Sequence, residues 1–344
     1  MYTLCGASPR RSSAVQRLPL LVALLLLPVV STVGMRAASQ ANPTVVAVRL
    51  EAAQARRAGF GVELVKRTDL PAPLLEVRAM ASGAQRSPAG PGTLLAATAD
   101  GSAVAMAEQV GQDPTTLVIA DADGSQLRIP VAGLLTAAFA PDGSWLAMAD
   151  GLGRLWRIDA VDGRSDLLAD GPFAGSLLVE SSGTILALAV SSVEAPFMSR
   201  LVRLDASGGT VAALSDEELV YGMAVLADGS LAVVSHRPTG TTLQRLADGD
   251  VLAASDLGSG AVNVSLSSDG TLVAWERDGQ VLVRSADRPI RVIGPGSRPR
   301  VAPNGSLLLI DDPAGGTSAV SSQGETIAHL DGPVALLECG GCQP

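Results

Sequence analysis

Aromatic rings are scarce in this chain. They make up 3% of its 344 residues, and Trp145, Trp156 and Trp275 are the only tryptophans. Carbohydrate subsites and aromatic cages are built from exposed rings, so such sites have little material here. Basic runs are missing as well: Lys66 is the sole lysine, the arginines are scattered, and the formal net charge is −9. A nucleic-acid binder neutralises phosphates with clustered cations, so the composition argues against nucleic acid as a partner. Histidine is limited to His236 and His329, neither with a cysteine or second histidine beside it in the sequence. Each is expected to be structural or solvated, because a zinc or catalytic role would need partners brought in from elsewhere.

Long apolar runs are also absent, with one exception. Residues 18–30 are apolar and follow Arg10, Arg11 and Arg17, and no acid occurs before residue 42. That run is short for a membrane span of about 20 residues, and Ser39-Gln40-Ala41 supplies small residues of the kind a signal peptidase reads. Residues 1–41 therefore read as an export signal cut after Ala41, giving a periplasmic or extracellular protein. An uncleaved anchor is the alternative, since apolar character continues through Val33 and Met35, and this leader is the chain's one route to a membrane. Cys5 precedes the apolar core, where a lipoprotein cysteine would follow it. Loss of the leader removes four arginines and takes the formal charge from −9 to −13.

What the chain has in quantity is short apolar runs punctuated by glycine. Residues 139–159, FAPDGSWLAMADGLGRLWRID, contain three such runs with a Pro-Asp-Gly turn and a second glycine break between them. Asp-Gly supplies the positive φ that tight hairpins require, so this stretch reads as three antiparallel strands. The turn recurs at Gly101, Gly143, Gly183, Gly229, Gly270 and Gly305, with spacings of 42, 40, 46, 41 and 35 residues. After each comes a strand apolar at consecutive positions, as a strand buried on both faces should be. A third strand and another reversal follow, as in LVIADADGSQLRI and LWRIDAVDGRSDLL. Four strands per repeat, six times at about 40 residues without helical periodicity, is the arithmetic of β-propeller blades.

APDGSWLAMA, LSSDGTLVAWE and LADGSLAVV resemble the WD40-like repeats of TolB-type propellers, whose inner hairpin carries a Ser-Pro-Asp-Gly turn before an apolar strand. The resemblance covers roughly residues 93–331 and implies architecture alone. TolB-like proteins carry an α/β domain ahead of the propeller that the fifty residues here cannot hold, so their trafficking role is not carried over. No G-x-S-x-G elbow occurs, which excludes the serine peptidases that share this repeat. The ending LECGGCQP is similar to cysteine-containing segments that follow propellers in some secreted proteins.

The domain organisation expected is a leader at 1–41, an N-terminal segment at 42–92, a propeller at 93–338 and a CGGCQP tail at 339–344. Within the second segment, 45–58 reads as a strand and short helix, 62–65 and 74–79 as strands, and 82–92 as a linker. An apolar run at 334–337 follows the sixth repeat and needs a partner. The expected fold is all-β, a propeller of seven blades with one shared between the chain ends; six blades with loose tails is the alternative.

Carboxylates at Asp121, Asp123, Asp159, Asp162 and Asp166 are spaced like parts of calcium loops, but they fall at strand reversals, where Asp and Gly serve the backbone. Cys339 and Cys342 form C-G-G-C and are the disulfide candidate for an exported chain. A propeller places its inner hairpin turns on one face, so the opposite face collects the ends of the second strands around the channel mouth. Glu108, Asp150, Glu276, Asp311 and Asp312 lie there, with His236 and Arg277 among them. Converging carboxylates would suit calcium, as in calcium-dependent lactonase propellers, or a basic partner; scattered ones would be solvated loop ends. The reading adopted is a non-catalytic binding or protein-interaction module without cofactor. Its alternative is a metal-assisted hydrolase or lactonase at that mouth, using calcium.

Overall fold

The computed structural model describes residues 47–337 other than 59, 80–92, 109–114, 193–197, 215–218, 238, 248 and 287, within one compact unit spanning 45–344. The leader, the linker at 82–92, and Cys339 and Cys342 lie outside the described residues. No helix among the described residues is long and apolar enough to cross a membrane.

Seven antiparallel sheets close into a ring. Blades 1 to 6 occupy residues 93–130, 134–169, 173–213, 219–258, 262–295 and 297–330, each a meander in which sequential strands are neighbours from the channel outward. Blade 7 is the shared one. Val334–Leu336 is its inner strand and pairs with Leu74–Ala79, which pairs in turn with Val62–Arg67. Two further backbone bonds flank the three-residue inner strand: Val77 N–H to Pro333 O at 2.9 Å and Leu337 N–H to Pro73 O at 3.1 Å. The blade has three strands among the described residues, not the repeat's four.

Blade 1 differs in the other direction. Val48–Leu50 adds a fifth strand to its outer edge by pairing with Gln126–Pro130, and the helix Ala52–Arg57 follows. Arg49 holds this strand by bonding Asp121 Oδ2 at 3.1 Å and the Val161 carbonyl of blade 2 at 2.7 Å. A paired edge no longer offers an open row of donors and acceptors.

The ring is held by the second strands, which are buried on both faces because neighbouring blades cover them. Alternate residues therefore serve different interfaces. In blade 1, Val104 and Met106 face blade 7, while Ala103 and Ala105 face blade 2, where Leu146 and Met148 meet them. From the same strand of blade 2, Ala147 and Ala149 face Ile185 and Ala187 of blade 3. The pattern continues round the ring to Leu307 and Leu309 of blade 6, which pack with Leu74 and Val334 of blade 7. Between them the first and second strands turn at the expected glycines: Gly143 has φ +71°, and its five counterparts are likewise positive. Asp142 Oδ1 accepts the Ser144 N–H at 3.0 Å and hydroxyl at 2.8 Å, closing the loop.

Ring closure through a short terminal strand has a direct consequence. Deleting residues 332–344 is expected to lower the urea midpoint of the whole domain and to open residues 62–79 to proteolysis at the same time. Unchanged midpoint and protection would show that six blades stand without the seventh.

Candidate functional site: the channel mouth

On the face opposite the glycine turns, the second strands end and the innermost strands begin. Local irregularity marks six of these seven beginnings: the pairing register between first and second strands shifts in blades 1 to 6. In blades 3, 5 and 6 the irregular segment contains a residue with positive φ, namely Gly175 (+75°), Asn263 (+51°) and Arg298 (+46°). Bulges of this kind re-aim side chains at the rim of a sheet.

The predicted carboxylates stand at or just past the ends of their second strands on this face, each engaged by a neighbour, and Glu108 is turned outward to the fourth strand of its blade. Glu108 meets Arg128 at 2.5 Å, and that guanidinium lies 4.1 Å over the Phe60 ring. Asp150 is 2% exposed. It accepts from the Leu152 N–H at 2.9 Å, the Arg154 N–H at 2.9 Å, Arg154 Nε at 2.8 Å and Trp156 Nε1 at 2.9 Å. This carboxylate is a local strut that shapes the loop between the second and third strands.

Glu276 and Asp311 belong to a cluster spanning blades 5 and 6. Glu276 Oε2 accepts from Asn263 Nδ2 at 2.8 Å and from the backbone N–H of Arg298 at 3.2 Å. Asp311 receives two guanidinium groups, Arg298 Nη2 on Oδ2 and Arg300 Nη2 on Oδ1, both at 2.7 Å. Arg300 also donates from Nη1 to the Val334 carbonyl of blade 7 at 3.1 Å, while its Nε is buried without a partner. Burial lowers the pKa of Arg300 from the usual arginine value, against the opposing pull of Asp311.

Asp312 turns away from this cluster. Its Oδ2 accepts the Ser318 hydroxyl at 2.7 Å and lies 3.6 Å from His329 Nδ1, and Ser318 Oγ lies 2.9 Å from the same nitrogen. This is not the geometry of a nucleophilic triad, in which the imidazole bridges serine and carboxylate through its two different nitrogens. His236 Nδ1 lies 3.3 Å from Thr241 Oγ1, which donates to the Ala261 carbonyl just ahead of blade 5 at 2.9 Å. Among the described residues, no three His, Cys, Asp or Glu side chains form a group able to hold a metal ion.

Sequence reasoning missed Asn263, Arg298 and Arg300, which sit on innermost strands where no acid drew notice. The signal was positional: relative to the turn glycines at 270 and 305, Asn263 and Arg298 stand at the same offset. The calcium-like spacings resolve into turns, as Asp159 Oδ1 accepts the N–H groups of Val161 at 2.8 Å and Asp162 at 3.0 Å.

Together these features define a seven-bladed β-propeller with a braced, mixed-charge channel mouth. Its architecture is TolB-like. TolB from Acinetobacter baumannii superposes with a TM-score of 0.51 at 18% identity, covering 84% of each chain. An oligogalacturonate lyase from Vibrio parahaemolyticus gives 0.54 at 11% identity, covering 79% of this chain and 85% of that one. An oligogalacturonate lyase in complex with manganese gives 0.55 at 14% identity, over 82% and 85%. No protein-family description matches the chain, and no curated protein matches it. Likeness at these identities establishes the fold.

Two outcomes are expected from the carboxylates. Replacing the buried Asp150 with Ala leaves two backbone N–H groups, a half-buried guanidinium and an indole N–H without their acceptor, and should cost about 2 kcal/mol by urea denaturation at pH 7. Replacing Asp166, exposed and 4.0 Å from Arg164, should change stability by less than about 0.5 kcal/mol. The second outcome concerns acid. The Ser102 and Ser144 N–H groups and then their hydroxyls hold Asp100 and Asp142 below the usual aspartate pKa, and the Ser230 hydroxyl and then its N–H do so for Asp228. Groups with depressed folded pKa stabilise above the unfolded value of about 3.9 and lose that contribution as pH falls through the folded one. Asp121, raised by burial against the pull of Arg49, works in the opposite sense. The urea midpoint should therefore fall below about pH 4, and Asp142→Asn should make the fall shallower.

Proposed function

We propose that the protein is exported and acts as a non-catalytic protein-binding propeller whose channel-mouth face is the contact surface. The observation that carries this reading is the bracing of that face. Glu108, Asp150 and Asp311 are each bound by an arginine of their own blade, and Glu276 is bound by the neighbouring blade's backbone. Groups held this way are preorganised to present a fixed surface, which lowers the ordering cost of binding. They are poorly suited to moving protons or to releasing carboxylates to a cation. Export is supported by the arginines, apolar run and small residues of 1–41, and the acidic mature chain favours a protein over nucleic acid as partner.

Two measurements test the proposal. Protein recovered from the exported fraction should have the intact mass of a chain beginning at Asn42; a mass that retains residues 18–30 would mean an anchor. A photo-crosslinking residue at Leu152, exposed on the mouth face, should capture a protein in that fraction, whereas one at Ser182, exposed at a glycine turn, should not. Equal labelling from both would overturn the mouth as the contact surface, and no adduct together with a calcium-dependent rise in Tm would overturn the reading in favour of metal-assisted chemistry.

A further inference from the structure

Each blade has an outer edge whose backbone donors and acceptors have a partner strand on one side only. Such an edge is a template for a further strand unless it is short, charged or covered. Among the described residues, six of the seven edges meet that condition. Blades 2, 3, 5 and 6 end in strands of four or five residues, Ser165–Ala169, Thr210–Ala213, Arg291–Pro295 and Thr326–Leu330. Blade 7 ends in Val62–Arg67, which carries Glu63, Lys66 and Arg67. Blade 1 is covered by Val48–Leu50.

Blade 4 is the exception. Its outer strand, Asp250–Gly258, is nine residues long and pairs only with Gly240–Ala247. Residues 250–254 are all exposed. Val251 and Leu252, 55% and 57% exposed, are the one adjacent pair of large apolar side chains so open to water among the described residues. The pairing skips Leu252 and Leu257 and is regular over 253–256. A bulge re-aims side chains, and here it leaves an apolar pair uncovered beside a regular stretch of open edge.

Charge selects what can cover this edge. Residues 248–256, DGDVLAASD, hold three acids and no base. Among the described residues, neither Asp250 nor Asp256 forms an ion pair. A second copy of the strand would add three more acids to the same interface, and like charges across a strand pair are destabilising. A strand that is apolar with Lys or Arg at its ends is complementary. The chain's own cover for blade 1 has related chemistry: Val48 and Leu50 flank Arg49, whose guanidinium meets Asp121 at 3.1 Å.

We infer that the outer edge of blade 4 is a strand-addition site that receives an extended segment of a partner protein, apolar in its middle and basic at its ends. This surface lies on the rim of the disc and does not depend on the reading of the channel mouth.

The test uses the full mature chain and three peptides. The first is acetyl-Arg-Val-Thr-Val-Thr-Val-Lys-amide, the second has Glu in place of Arg and Lys, and the third is the basic peptide N-methylated at its five central residues. Methylation removes the donors of both strand edges and keeps the charge. The basic peptide should bind saturably, at least tenfold tighter than the acidic one, and slow hydrogen exchange at the amides of 252–256. The methylated peptide should do neither. Leu252→Lys places a charge on the exposed edge, and should leave the urea midpoint unchanged while weakening the basic peptide at least fivefold; if that variant does not fold, the methylated peptide decides the point on the parent chain. Equal binding of the basic and methylated peptides would reduce the effect to charge and overturn the inference. So would no binding, or protection elsewhere without protection at 252–256. A parent chain that sediments as a dimer, dissociated by Leu252→Lys, would give the edge to a second copy and overturn the assignment to a partner.

Discussion

The structure depends on one constraint: each second strand must be buried on both faces. A single sheet cannot arrange this for itself, and stacking blades radially does so only when every blade has neighbours on both sides. The ring must then close, because an unclosed ring would leave Val104 and Met106 of blade 1, or Leu307 and Leu309 of blade 6, facing water. At about 25 cal/mol per Å² of apolar surface, exposure of either set would cost several kcal/mol, comparable to the whole stability of a domain. This is why a three-residue terminal strand, Val334–Leu336, matters out of proportion to its length. It brings Leu337 and Val334 into the two interfaces that flank blade 7.

Much of this was legible in the sequence for the same reason. Strands apolar at every position, glycine turns at a steady interval and an orphan apolar run near the end are direct imprints of two-sided burial and its closure. The shared blade could be foreseen because 334–337 had no partner within its own repeat, while 62–65 and 74–79 had no repeat at all. The fifth strand on blade 1 could not. Val48–Leu50 is only three residues, and its position is set by Arg49 reaching Asp121 and the Val161 carbonyl, contacts distant in sequence.

The mouth was less legible because spacing places a carboxylate at a strand end without saying where it points. Asp311 and Asp312 are adjacent in sequence, yet Asp311 binds Arg298 and Arg300 on the innermost strand, while Asp312 binds Ser318 and lies near His329 on the outer strands. That split follows from the alternation of side chains at the end of a strand. The arginines that define the cluster were hidden by their position on strands that read as ordinary repeat.

Closure and the mouth are also physically coupled. Arg300 donates one nitrogen to Asp311 and another to the carbonyl of Val334, so the cluster on blades 5 and 6 and the strand that locks blade 7 share a side chain. Any ligand that binds the closed arrangement and not the open one must stabilise the ring by the same free energy with which closure favours the ligand. A partner bound at the mouth would therefore act on more than the residues it touched. By holding Asp311 and its two arginines in place, it would reinforce the hydrogen bond from Arg300 that keeps the C-terminal strand in its blade.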